Sequence, residues 1–359
     1  MKSFIALVFL LVYTSFYCQN NELTNKKLIS YYEAVNSAED KIVTNELDSA
    51  DFYYQKAFKI FKEPHANDLY NHMKVLLNKK DYENAFKHYQ SLDCMKYKFE
   101  ENFLSSHFPN IEQYKKLKCK NKIDDHYRKE LDSLFTIDQH YRKLSGGNYA
   151  KFKKEITKND SIASTRLLTL IQKKGFPNEY DWGLSSANLV FFQNFYFIIW
   201  HQLATNLYSP QVVNFSDEII KALNKGKITP ENAAFLLDLN NGTQNYSSGH
   251  FDIVQIFKNE DKPDRPHDKA EEMFEKADCC YVHQWFYPEK RGEKGNALVK
   301  DIDRRRKSIG MSTLDQVLRK KVFLLTNKEY KMGHANLIGM NFQNDEDAEN
   351  LKKHFIKIK

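Results

Sequence analysis

Long stretches of this chain contain nothing that would interrupt a helix. Only 12 glycines and 8 prolines occur in 359 residues, and between them apolar side chains recur at three- and four-residue spacing. The pattern predicts a mostly α fold. About 340 residues are too many for one small core, so two or three units are expected.

The amino terminus is the one segment with a different character. Lys2 supplies a positive charge and Phe4 to Tyr13 form an almost unbroken apolar run. About ten residues cannot span a bilayer of roughly 30 Å but suit a secretory signal. Polar Gln19, Asn20 and Asn21 come next, placing cleavage after Cys18 or Gln19 and the signal peptide at 1–19. The alternative, acylation of Cys18, is disfavoured by the bulk of Tyr17. No later segment is long and apolar enough to be a transmembrane helix. The mature chain is expected to be exported and soluble, periplasmic or extracellular.

That compartment permits disulfides. Cys94 and Cys119 are candidates for a bridge closing a short helical loop. Adjacent Cys279 and Cys280 could form only a strained bridge; with His283 they could alternatively offer metal ligands, although no fourth ligand is evident. The net charge of +7 is spread among interleaved acids, which fits a solvated surface and argues against nucleic acid. The basic run Arg304 to Lys307 would point to all faces of a helix, a poor phosphate patch. There is no Walker-type loop, no Gly-x-Ser-x-Gly elbow and no His-Glu-x-x-His helix.

Residues 22–125 are expected to form helical hairpins. Leu47, Ala50, Tyr54 and Ala57 are matched, one unit later, by Tyr82, Ala85, Tyr89 and Leu92. Small residues would admit a neighbouring helix and aromatics would fill the groove. Asp81 to Ala85 with Tyr89 resembles the second helix of a tetratricopeptide repeat. Two such units cannot cover their apolar faces alone, so they should pack on the adjoining helical domain. The resemblance implies a protein or peptide partner for residues 22–92; a bracing role is the alternative.

Residues 126–260 are expected to form that domain, whose polar residues sit where apolar ones belong. Leu131, Leu134, Asp138 and Arg142 share one helix face, which turns Asp138 inward with Arg142 one turn away. A buried carboxylate requires a partner. Gly146 and Gly147 end this helix; the next is expected to start at a cap on Asn159 or Asp160 and stop at Gly175. Leu189 to Leu203, apolar on nearly every face, should be the central surrounded helix, and His201 within it needs a hydrogen bond, a metal or a reaction. Thr229 and Pro230 start a helix running to Asp238, Gly242 ends it, and Gln244 and Tyr246 lie beyond it in a polar loop.

These residues resemble an uncharacterised bacterial domain-of-unknown-function family. Its motifs read here as Asp138, Gln139 and Arg142; Gly175, Phe176 and Pro177; His201; Ala234, Leu236 and Asp238; Gly242, Gln244 and Tyr246; and, further on, Ile302, Asp303, Arg306, Ile309, Gly310 and Met311. Leu239 stands where the family has arginine, and Ser247 and Ser248 where it has Gly-Thr. The resemblance implies one polar site in a mostly helical domain and carries no activity or cofactor with it.

Residues 261–359 read as a small, irregular, partly helical extension. Asp261 to Arg265 suggest a loop, Lys269 to Ala277 a helix, and Lys321 to Leu325 a short strand or helix end; Tyr281, Trp285, Phe286 and Tyr287 form an aromatic packing cluster. The functional expectation is an exported binding or interaction protein with a small-ligand site around Asp138, Arg142 and His201. The alternatives are a hydrolase-like enzyme using His201 with Asp138 or Asp238 and with Arg142 stabilising an anionic substrate, and a scaffold without a site.

Overall fold

The computed structural model describes residues 22–109, 111–114, 119, 123–184, 193–205, 212–247, 253–257, 278–333, 337–341 and 345–358. The signal segment, Ser248, the 261–265 loop and the 269–277 helix lie outside them. The described residues are mostly helical, with one small sheet. None of the described helices is long and apolar enough to cross a membrane.

Two hairpins open the fold. Helices α1 (Lys26–Val43) and α2 (Leu47–Ile60) pack together, as do α3 (Ala66–Asn78) and α4 (Tyr82–Cys94). Asn25 caps α1 and Asp81 caps α4, each side chain accepting an N–H from the first turn. The small residues that the sequence places at matching positions, Ala50 and Ala85, are both fully buried, which lets the helices approach closely.

A short helix α5 (Phe103–His107) comes next, then α6 (Asp125–Ser145), α7 (Lys153–Lys174), one turn of α8 (Glu179–Trp182), α9 (Tyr196–Thr205), α10 (Ser216–Asn224) and α11 (Pro230–Asn241). Gly146, in the left-handed conformation at φ 57°, ends α6. Thr229 caps α11 through the Asn232 N–H, with Pro230 at its first position. Helix α9 is less enclosed than its composition suggests. Ile198 and Ile199 are fully buried, whereas Trp200 is 36% exposed; among the described residues the helix starts at Tyr196, and Leu189 lies outside them.

The carboxy-terminal part contributes the sheet, which the sequence pattern does not anticipate. Strand β1 (Ile253–Phe257) pairs antiparallel with β2 (Asp278–His283) and parallel with β3 (Leu337–Asn341), and β4 (Phe355–Lys357) pairs antiparallel with β2, in the order β3-β1-β2-β4. Helices α12 (Gly292–Ser308), α13 (Leu314–Thr326) and α14 (Asp345–Lys352) complete the chain. Lys321 to Leu325 belong to α13, whose capping box of Thr313 and Gln316 fixes its start.

Two large cores, with smaller clusters under the sheet and α12, hold these helices among the described residues. The larger joins buried residues of α1, α2, α6, α7, α9, α10, α11 and α13, so the first hairpin and the central helices share one interior. The smaller joins α3, α4 and α5 through Leu69, Met73, Phe86, Leu92 and Phe103. Helix α13 is fastened to α1 by a buried Glu39–Lys320 ion pair and by the Gln316 amide donating to Asp40. Gly310, at φ 88°, allows the close passage: a Cβ there would stand 2.6 Å from the Tyr32 ring.

Candidate functional site

Helix α6 presents Leu131, Leu134 and Asp138 on its buried face; Arg142, one turn beyond Asp138, has a side chain only 9% exposed. Helices α7 and α9 pack against this face. From α9 comes His201, whose Nδ1 lies 2.8 Å from both carboxylate oxygens of Asp138. Gln139 donates from its amide to Asp138 Oδ2 at 2.8 Å.

Arg142 is held by a residue that the sequence pattern assigns elsewhere. Its guanidinium donates two parallel bonds to Asp160, Nη1 to Oδ1 at 2.6 Å and Nη2 to Oδ2 at 2.8 Å, the geometry in which arginine binds carboxylate most strongly. Nη1 also donates to the Asp138 carbonyl at 2.7 Å and sits 3.4 Å from Asp138 Oδ1. Burial alone would pull the Arg142 guanidinium down; the bonds to Asp160 and the charge of Asp138 raise it above its ordinary value. Asp160 is not a cap: α7 starts at Lys153, and Asp160 is a mid-helix residue, 1% exposed.

The arrangement has definite chemical consequences. A carboxylate on Nδ1 fixes the tautomer of His201 with the proton on Nδ1, so Nε2 is its exchanging atom. The His201 side chain is 15% exposed, whereas those of Asp138 and Asp160 are nearly inaccessible. Asp138, Asp160 and His201 each offer a ligand atom within 4.8 Å of the others. Arg142 Nη1 lies among them, however, and supplies the positive charge a metal would bring.

Asp238 and Tyr246 belong to a second network. The Asp238 carboxylate accepts from Thr243 Oγ1 at 3.0 Å, Asn245 N–H at 2.8 Å and Tyr246 N–H at 3.1 Å, folding the loop back onto the end of α11. From α12, Arg306 donates to the Tyr246 carbonyl and the Ser312 carbonyl, each at 2.7 Å, and Arg305 donates to the Asn245 carbonyl at 2.7 Å. Burial lowers the Arg306 guanidinium to about 10. The basic run thus clamps a loop. Gln244 is exposed there, its carbonyl accepting from Ser247 N–H.

The sequence-predicted residues therefore divide. Asp138, Gln139, Arg142 and His201 come together; Asp238 and Tyr246 are tied to one another by their loop. Cys94 and Cys119 are bridged. Cys279 and Cys280 are bonded to each other, which leaves neither thiolate for a metal, and His283 Nδ1 accepts from Trp285 N–H. Asp160 is the site residue that sequence reasoning missed; its one available signal is a carboxylate on the apolar stripe through Ile156, Ala163 and Leu167.

No protein-family model, curated protein or solved structure matches this chain.

Proposed function

We propose that this chain is an exported helical binding protein that takes a small ligand at His201, within the site formed by Asp138, Gln139 and Arg142. The observation that carries this reading is the 2.8 Å contact between Asp138 and His201 Nδ1. A carboxylate in that position directs the imidazole's chemistry to Nε2. A protonated Nε2 donates to an anion; a neutral one accepts from a hydroxyl. Four of the motif residues that carry the resemblance to the uncharacterised bacterial family, Asp138, Gln139, Arg142 and His201, pack together here, and that supports reading them as one site.

The same contact favours a second reading, a hydrolase-like enzyme in which His201 is a general base oriented by Asp138. The alternative carboxylate for that role, Asp238, accepts hydrogen bonds from its own loop. The paired hairpins within residues 22–92, with Ala50 and Ala85 buried at matching positions, support a tetratricopeptide-like partner surface as part of the proposal.

Nitrogen-15 spectra of histidine-labelled protein test the site. His201 is expected to carry its proton on Nδ1, and inorganic phosphate or acetate at constant ionic strength is expected to shift its Nε2 resonance saturably while His72 and His88 stay still. An Nε2 resonance indifferent to both probes, in an imidazole protonated only on Nε2, would contradict the proposal.

A further inference from the structure

A cavity far from His201 in the sequence has the chemistry of a second site. It opens where α1, the start of α3, the start of α11 and the segments after α12 and α13 converge, with a cavity volume of about 50 Å³ for the centre of a water-sized molecule. That is room for a few waters or a small organic group. Its wall combines carboxylates with apolar surface from Val35, Pro230 and Met332.

Several donors around this cavity are already committed. Lys320 donates to Glu39 and to Ser312 Oγ. Asn36 donates its amide to the Gly310 carbonyl at 3.0 Å. His65 shares Nε2 with the Tyr32 hydroxyl at 3.1 Å and directs Nδ1 toward Glu179 at 3.6 Å. The acceptors are not equally committed. Among the described residues Asp68 accepts a side-chain hydrogen bond only from the Tyr31 hydroxyl, on Oδ2, although it is 3% exposed. The Asn67 side-chain oxygen is buried and, among the described residues, accepts no hydrogen bond. Glu231 lines the same cavity and is exposed.

Carboxylates outnumber cationic groups on this wall, and a buried acceptor without a donor is unfavourable by itself. We propose that this cavity binds a small organic ammonium ion, its N–H groups donated to Asp68 and Asn67, its hydrocarbon against Val35 and Met332, and Glu231 at the mouth. The site is independent of the one at His201.

Protonation of the site supports the assignment. Burial raises Asp68 to about 7, against the opposing effects of His65 and Tyr31, with Glu39 and Glu231 adding to the rise. A carboxyl whose folded value is raised above its unfolded one stays protonated in the folded chain, so stability falls as pH rises from about 4 to about 7. His65 is also raised: burial, its first influence, lowers it, and Glu179, Asp68 and Glu231 outweigh that. The groups facing Asp68 are thus Tyr31 and Glu39 of α1, His65 before α3 and Glu231 of α11. All but the neutral tyrosine and His65 are acidic, and as pH rises His65 loses its competing charge. Ammonium binding should strengthen as Asp68 ionises.

Isothermal titration of the full chain with n-butylammonium, using n-butanol and butyrate as the neutral and anionic counterparts, tests this. The expected result is saturable binding of n-butylammonium alone, at least tenfold tighter at about pH 8 than at about pH 5.5, and weakened about tenfold or more by Asp68→Asn. Glu231→Gln, at an exposed position, should weaken it several-fold without affecting folding. Absence of saturable binding, equal binding of n-butanol, or unchanged affinity in both variants would overturn the proposal.

Discussion

Arg142→Met is expected to destabilise the folded chain by about 3–5 kcal/mol in chemical denaturation, because it takes the one arginine charge away from two buried carboxylates and two hydrogen bonds away from Asp160. Asp138 and Asp160 are each 1% exposed, and the Arg142 guanidinium is hydrogen-bonded to the Asp160 side chain and the Asp138 carbonyl. Methionine fills much of the same volume, so the loss reports charge and hydrogen bonding more than a cavity. Arg142→Lys should recover only part of it, since one ammonium cannot reproduce the two parallel bonds. Adding Asp160→Asn to Arg142→Met should restore stability, the coupling expected of residues in direct contact. A loss of under about 1 kcal/mol in Arg142→Met, of the size seen for exposed pairs, would mean that the two carboxylates are solvated.

The second large effect is expected from the bridge between α4 and the segment after α5. Cys94 and Cys119 are 25 residues apart in sequence, and a cross-link of that span restricts the unfolded chain by about 3.5 kcal/mol in the loop-entropy account. It closes over the smaller core, where Phe86 lies 5.4 Å from Phe108 and 5.2 Å from Tyr114, ring centre to ring centre. The double variant Cys94→Ser, Cys119→Ser should therefore lower the denaturant midpoint strongly, and the reduced wild type should match it. An unchanged midpoint in both would show that the aromatic contacts hold this region without the bridge.

The legible parts of the sequence were those fixed by local geometry. Asp138 and Arg142 fall one turn apart on an apolar stripe, and a stripe predicts a face whatever packs on it. Gly146, Thr229 with Pro230, and Gly242 mark helix ends through backbone conformation and capping, which are also local. Asp160 shows where this stops. In isolation Asn159-Asp160 reads as a cap, since such side chains compete for backbone N–H groups; in the folded chain Arg142 offers Asp160 a stronger partner and the helix begins earlier, at Lys153. The sheet was hidden for a related reason: β1 and β3 are parallel neighbours from distant parts of the chain, and no local pattern announces such a pairing. The cavity at Asp68 draws on segments from Tyr32 to Gly333, so only the folded chain reveals it.

Two kinds of residue make up this network in the proposed reading: Arg142 and Asp160 hold the helices together, and His201 is the group that meets the ligand. Denaturant stability of His201→Ala beside Arg142→Met tests it most directly. Asp138 keeps Gln139 and Arg142 when His201 is removed, and a working group typically contributes little to stability or lowers it. The expected result is a change of less than about 1 kcal/mol for His201→Ala against about 3–5 kcal/mol lost in Arg142→Met. Equal large losses in the two variants would contradict the claim and make the whole cluster a structural element of the fold.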